Sequence, residues 1–565
     1  MKVLIVGGVA GGASAAARIR RLDEQAEIII FERGEHVSYS NCALPYYLGG
    51  EVGERERLVL MTPESFKSRH NIEVRLQSEV RAIHREEKCV TVRTSEGREY
   101  REKYDKLILS PGADPVRPRS IRGIEGEKVF TLRSVTDAGA LKDYMDRVKA
   151  ASAVIVGGGF IGIEVAENLR AAGLEVTVVE GLEQILSPFD EDMVQMLHKE
   201  LMDNGVGLCL SARVSQITET GVRFAQGEVE REISADVVVM CAGVAPATAI
   251  ARDAGLEVNA RGYLRVNGNF QTSDPDIYAV GDAVESYDRL RRRPGSLALA
   301  GPAQRQARAA ADHICGIPGV SRGFIGSSCL KVFGLNAACT GLNERAAKEQ
   351  GIPCDIAYVL PPDKVSLLPG SHYLAFKLVF EVPTGRILGA QAIGRGDAVR
   401  RIDVIAAMLS QNSTLEDLKE LELCYSPVYG TAKDVVNLAA LVGLNVLSGR
   451  MKQVPVSEVR SLVESGAYII DVREPGEYAA GHLKGAVNIP LSQLRERMEE
   501  VPRDRPVYLH CRTSQRSYYA LCQLVGSGWR NVQNISGSFL GICLYEYYRD
   551  RADGREPIVT AYNFN

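Results

Sequence analysis

The stretch ASAVIVGGGFIGIEVAENLRAAGLEVTVVE, residues 151–180, decides the fold. A β-branched run enters three glycines, continues with apolar residues at helical spacing, and returns to a second β-branched run. Strand, turn, helix, strand in that order joins two parallel strands by a crossover helix. Gly157, Gly159 and Gly162 have the G-x-G-x-x-G spacing. Glycines there allow a tight turn and bring the N–H groups of the helix N-terminus close to a pyrophosphate. Glu180 ends the second strand. A carboxylate in that place accepts hydrogen bonds from ribose hydroxyls and repels a 2′-phosphate, which favours NADH over NADPH.

Working outward, the same unit opens the chain: KVLIV, a glycine turn, GASAAARIRRL and AEIIIFE. Gly7, Gly8, Gly11 and Gly12 shape this turn, Val9 stands at the middle-glycine place, and Glu32 closes the following strand. Two copies predict two parallel-sheet dinucleotide domains. From about Ser321 to Val446 the texture changes to strands such as AFKLVFE and GRILGAQAIG followed by helices, as in an α+β domain. LSGRMKQVPVSEV is a polar, proline-containing link to a compact last segment.

The totals fit this division. A chain of 565 residues holds about three or four domains. With 45% apolar and 24% charged residues it has a globular composition. Lys and Arg number 67 against 71 Asp and Glu, a balance that gives no support to nucleic-acid binding. No apolar run reaches the ~18 residues of a membrane span, and the N-terminus reads as a buried strand, not a signal peptide. The 12 cysteines lack the spacing of a disulfide scaffold or a zinc site, so the expectation is a cytoplasmic protein with reduced thiols and no metal.

TSDPDIYAVGDAVE ends a strand at Gly281-Asp282, and LILSPGADP and VVVMCAGVAP are strand-end connections. With the two glycine turns, these stretches resemble the pyridine nucleotide-disulfide oxidoreductase superfamily over residues 1 to about 445. The resemblance implies FAD on the first unit, with Asp282 on its ribityl chain, NADH on the second, and a homodimer.

SYSNCALPYY, residues 38–47, carries Cys42 without a second cysteine nearby. It resembles the S-F-x-N-C-x-L-P-Y block of the single-cysteine branch: coenzyme A-disulfide reductases, NADH oxidases and peroxidases, and persulfide reductases. A lone thiolate attacks an external sulfur, so a helix terminus or the flavin should lower its pKa. Ala10 replaces the histidine that peroxidases and many oxidases carry in the first turn. The resemblance further implies a coenzyme A channel lined by Ser14, Arg18, Arg21, Ser38 and Asn41, whose arginines neutralise phosphates. In LELCYSPVYGTAKD it implies that Tyr425 reaches the partner's active site and Lys433 contacts substrate. The family's paired tyrosines are replaced by Leu367 and Leu368 in KVSLLPGS, which weakens disulfide reduction as a reading.

YIIDVREPGEYAAGHLKGAVNIPL and VYLHCRTSQRS resemble a rhodanese sulfurtransferase domain. Cys511 opens a C-x-x-x-x-R loop closed by Arg516, sized for sulfur, whose N–H groups form an anion nest; Arg512 and Arg516 add positive charge. NISGS replaces the usual glycine pair after the last strand. The closing YEYYRDRADGREPIVTAYNFN carries no interpretable motif.

The expected architecture is α/β. Two Rossmann-like domains bind FAD (1–110 and 241–320) and NADH (111–240), and an α+β dimerisation domain covers 321–446. A linker of 447–455 leads to an α/β rhodanese domain at 456–565. The expected activity is NAD(P)H-dependent reduction of persulfide or polysulfide, such as coenzyme A persulfide, at Cys42, coupled to Cys511. Coenzyme A-disulfide reduction and then NADH oxidation are the alternatives, with a sulfur- or redox-sensing binding protein as the non-enzymatic one.

Overall fold

The computed structural model describes residues 1–564. The chain forms two compact units: Met1–Glu183 with Cys209–Gly326, and Gln184–Leu208 with Ser327–Asn565.

In the first unit, strand β1 (Lys2–Val6), helix α1 (Ala10–Leu22) and strand β2 (Glu27–Phe31) make the opening βαβ. β1 and β2 pair in parallel, Lys2 opposite Glu27, in a five-stranded sheet completed by Lys106–Leu109, Ile277–Ala279 and Glu73–Arg75. Val3 to Val6 are buried throughout, as a parallel strand covered on both faces requires. The duplicate is β3 (Ser152–Val156), α3 (Phe160–Ala171) and β4 (Glu175–Val179), also parallel, with Val237–Met240 on the other side of β3. A short helix, α2 (Leu44–Leu48), begins with Pro45 in its first turn and packs on α3.

The second unit contains an antiparallel five-stranded sheet from Ser327 to Gly394 and a parallel five-stranded sheet from Gln453 to Ile535. The helix α4 (Glu191–Asp203) belongs to this unit, although the sequence reading groups it with the second nucleotide domain. Its buried face of Met193, Val194, Met196, Leu197 and Leu201 explains why. His198 is buried 4.9 Å from the Tyr548 ring, and Lys377 of the antiparallel sheet lies 2.8 Å from both Asp192 oxygens, 2.9 Å from Glu344 and 3.1 Å from Asp190. Burial opposes charge on Lys377, but the carboxylates outweigh it and hold its pKa up. Helix α5 (Val435–Leu447) covers the antiparallel sheet. Strand β5 (Val507–His510), helix α6 (Gln515–Gly526) and helix α7 (Ser538–Asp553) build the C-terminal domain, and α7 packs against α4.

Candidate active site

The first glycine turn has the shape a pyrophosphate needs. Gly7 has φ +92°, and a Cβ on it would lie 2.1 Å from the Ser110 carbonyl oxygen; one on Gly12 would lie 1.8 Å from the Gly7 oxygen. A Cβ on Gly8 or Gly11 would lie 2.6 Å from the Val37 or Ser110 side chain. Val9 caps α1 with φ −101°, an ordinary value for an L residue, so the missing middle glycine causes no strain. Glu32 accepts N–H bonds from Gly8 and Gly34, both at 2.9 Å, which fixes the carboxylate across the turn. The second turn repeats this: Glu180 accepts from Gly158 at 2.5 Å and Leu182 at 2.8 Å. Gly157 has φ +113°, the Gly162 Cβ position is blocked by the Gly157 oxygen, and Gly159 faces open space at the start of α3. Gly281 at φ +84° donates to Gln306 Oε1 at 2.7 Å, and burial, opposed by Arg133, pushes the Asp282 carboxyl up. These residues fit two dinucleotides: Gly7, Gly8, Gly11, Gly12, Glu32, Gly281 and Asp282 would hold FAD, and Gly157, Gly159, Gly162 and Glu180 NADH.

Cys42 is exposed in a single 3-10 turn, Asn41–Ala43, just before α2. Ser38, at φ 48°, donates its N–H to the Gly8 carbonyl at 2.9 Å, which ties the cysteine segment to the first glycine turn. Asn41 Nδ2 donates to the Arg133 carbonyl at 3.1 Å. Ser14, Arg18 and Arg21 recur along one side of α1. Arg18 is ion-paired with Asp312 at 2.6 Å, whereas Arg21 is exposed.

The expected lowering of the Cys42 pKa is not what the protein groups produce. Partial burial of the sulfur comes first, and repulsion by the negative Glu164 and Asp282 carboxyls adds to it, so together they push the thiol up. Glu164 is a residue the motif reading missed. It sits on α3, against which α2 packs, and burial followed by Glu167 raises its pKa to about 7. Its one sequence signal is a carboxylate inside the apolar run FIGIEVA. Tyr46, the next residue of the block after Pro45, shares this acidic surrounding.

In the second unit, Tyr425 is exposed and Leu367 is 90% exposed. Arg401 gathers their two loops: its guanidinium donates to the carbonyls of Asp363 and Tyr429 and to Asp434, which caps α5. Lys433 precedes that cap, and its carbonyl accepts from Thr431.

Cys511 directly follows β5 and is buried. Its N–H donates to Ser538 Oγ at 3.2 Å, while the Ser517 and Ser538 hydroxyls lie 3.6 and 4.0 Å from its sulfur. Ser538 comes from the irregular NISGS stretch, so the departure from the glycine pair supplies a hydroxyl to the thiol. The first turn of α7 grips the loop, Phe539 and Leu540 donating to the Cys511 and Arg512 carbonyls at 3.0 Å. Beneath it, Arg473 binds Asp471 and the Gly481 carbonyl and stacks 4.0 Å over Phe539, and burial lowers the pKa of His510.

The two loop arginines do different things. Arg516 is bound by both Glu477 oxygens at 2.6 and 2.7 Å, so its charge is compensated, contrary to the expectation of added positive charge. Arg512 is only 8% exposed; its Nη1 donates to the Asn563 carbonyl at 3.0 Å and its guanidinium lies 6.0 Å from the Tyr373 ring. The C-terminal segment that reaches it runs along residues 482–484: Lys484 donates to the Ile558 carbonyl and Thr560 to that of His482.

A family model, pyridine nucleotide-disulphide oxidoreductase, matches residues 1–307. The chain belongs to this family. Its dimerisation domain matches residues 327–434 and a rhodanese-like domain matches 455–544. Coenzyme A disulfide reductase of Staphylococcus epidermidis is 34% identical over 439 residues, 77% of this chain and 98% of that one. Among solved structures, reduced Bacillus anthracis CoADR-RHD is 42% identical with a TM-score of 0.93, covering 97% of this chain and 98% of that one. The NAD-dependent persulfide reductase of A. fulgidus is 33% identical with a TM-score of 0.91, covering 97% and 100%. The α/β architecture is thus that of a pyridine nucleotide-disulphide oxidoreductase extended by a rhodanese domain. Among the described residues no helix is long and apolar enough to cross a membrane.

Proposed function

We propose that this oxidoreductase takes electrons from NADH and reduces sulfur–sulfur bonds of small thiol carriers at Cys42, with persulfides such as coenzyme A persulfide preferred over coenzyme A disulfide. The observation that carries this reading is Cys42 itself, an exposed thiol heading α2 with no other cysteine on that segment. A disulfide-exchange pair needs its second sulfur within about 4–7 Å between Cα atoms; here that sulfur has to arrive on the substrate. Leu367 and Leu368 remove tyrosine hydroxyls from the 363–372 loop, and a persulfide presents a terminal sulfur that needs less assistance than a disulfide. The full-length likeness to the A. fulgidus persulfide reductase, rhodanese domain included, supports the same choice.

FAD, when bound, carries the electron pair from NADH to the sulfur at Cys42. The chain's own residues do the rest. Ser14, Arg21, Ser38 and Asn41 line the approach of coenzyme A, Arg18 dividing its charge between Asp312 and a phosphate. The Cys42 thiolate attacks the sulfane sulfur, and Glu164, poised near neutrality, holds the proton that the released thiol or sulfide needs. Tyr425 and Lys433 act on the active site of a partner subunit in a homodimer. Cys511 receives sulfane sulfur as a persulfide in the loop that carries Arg512 and is closed by Arg516. The domain limits proposed for these roles are those read from the sequence, except that Gln184–Leu208, which carries α4, groups with the second unit.

The test is a steady-state comparison of NADH oxidation with coenzyme A persulfide, polysulfide, coenzyme A disulfide and oxygen. The proposal expects the highest kcat/KM with the persulfide; a higher value with coenzyme A disulfide would replace it with the disulfide reductase reading.

A further inference from the structure

A tyrosine of the dimerisation domain is pressed against the turn that serves Cys511. Tyr358 stands on the strand Cys354–Val359, at the edge of the antiparallel sheet, and is buried. It is opposite Lys377 in the ladder, so its ring shares a sheet face with the buried carboxylate cluster around that lysine. A Cβ on Gly537 would lie 2.7 Å from Tyr358 Cε1 and 3.0 Å from its Cδ1. One helical turn on, a Cβ on Gly541 would lie 3.5 Å from the same Cε1. The ring therefore abuts the start of α7, where a larger residue at 537 would displace it. The same turn serves the thiol: Ser538 Oγ accepts the Cys511 N–H at 3.2 Å and lies 4.0 Å from the sulfur. No hydrogen bond keeps Tyr358 in place, because its hydroxyl is buried without a partner among the described residues. An unpaired buried hydroxyl is unfavourable, so it is the packing of the ring that holds it there.

We propose that Tyr358 is a positioning residue for Cys511: by backing Gly537 it holds the neighbouring Ser538 hydroxyl on the Cys511 N–H and beside the sulfur. The inference rests on the reading that Cys511 accepts sulfane sulfur. Gly537 and Ser538 both have positive φ, +74° and +50°. A serine keeps such a conformation only where its surroundings over-determine it, and the ring behind Gly537 supplies part of that constraint. A hydroxyl beside the sulfur donates to the thiolate, so it favours the reactive form of Cys511. A residue outside the rhodanese domain thus shapes that domain's nucleophile, and it projects from a strand whose neighbour carries the Lys377 ion cluster.

The experiment measures the rate of Cys511 alkylation against pH in the full-length protein, by peptide-resolved mass spectrometry. The variants are Tyr358→Ala, Tyr358→Phe, Ser538→Ala and the double variant Tyr358→Ala/Ser538→Ala. Removing the ring should move the profile up by about half a pH unit, roughly a threefold loss of rate at pH 7. Tyr358→Phe keeps the ring, loses only an unpaired hydroxyl, and should keep the wild-type profile. The double variant should shift no further than Ser538→Ala alone, because the ring acts through that hydroxyl. The charged groups about the loop, Asp471, Arg473, Glu477, His510, Arg512 and Arg516, are the same in every variant. Tyr358→Leu, which keeps apolar volume without the ring edge, takes the place of a poorly folding Ala variant. An unshifted or lowered profile on loss of the ring, an equal shift in Tyr358→Phe, or additive shifts in the double variant overturns the proposal. Failure of the Cys511 reading shows separately, as absence of a Cys511 persulfide after the wild-type protein is treated with thiosulfate.

Discussion

Arg516 and Glu477 form a two-pronged ion pair, 2.6 and 2.7 Å, across the mouth of the Cys511 loop. The pair is partly exposed and contributes at most about 1 kcal/mol to folding, so its importance is electrostatic. Glu477→Gln should leave the arginine charge uncompensated beside Cys511 and speed alkylation of that thiol several-fold, about what one uncompensated charge near the surface does. Peptide-resolved iodoacetamide labelling of the full-length protein measures it; a slower rate would contradict the assignment.

Glu164 makes a prediction about pH. Burial and Glu167 raise its pKa to about 7, and its carboxylate is one of the groups that push Cys42 up. As pH rises through 7 the carboxylate forms and opposes thiolate formation next to it. Glu164→Gln removes that opposition, so the alkylation profile of Cys42 should move to lower pH. A shift to higher pH would show that Glu164 acts on Cys42 in the opposite sense.

Lys377 holds Asp190, Asp192 and Glu344 together at 2.8 to 3.1 Å with 1% of its side chain exposed. Lys377→Met leaves these carboxylates facing each other in the interior. Removing one partner from a buried ionic group costs roughly 3–5 kcal/mol, and chemical denaturation followed by circular dichroism should show a loss of that order. Because α4 is anchored through Asp192, the same variant should expose amides of Glu191–Asp203 to faster hydrogen exchange.

Cofactor choice should follow Glu180, whose carboxylate is fixed by the Gly158 and Leu182 N–H groups at the end of β4. Glu180→Ala should lower kcat/KM for NADH on the order of tenfold and reduce the discrimination against NADPH. Parallel kinetics with the two nucleotides check this.

The features legible in the sequence are those encoded over short spans. Gly157, Gly159 and Gly162, the lone Cys42, and the Cys511–Arg516 loop announce themselves because turn geometry and ligand spacing are local. What escaped depends on residues meeting across the fold. Glu164 matters to Cys42 only because α2 packs on α3. Arg516 looks like a free cation until Glu477 is placed against it, and Arg512 looks solvated until Tyr373 and Asn563 cover it. Helix α4 follows the second nucleotide unit in the chain, but its apolar face and Asp192 are satisfied by α7 and Lys377. The protein groups push the Cys42 thiol up first through burial, and the two carboxyls that add to it, Glu164 and Asp282, come from distant stretches.

The most direct test of the central claim is NADH-dependent sulfide release from coenzyme A persulfide by the wild-type protein and by Cys42→Ser, with FAD content matched. The account predicts sustained release from the wild type and none above background from Cys42→Ser. Release at an undiminished rate from Cys42→Ser would mean that sulfur reduction does not pass through Cys42.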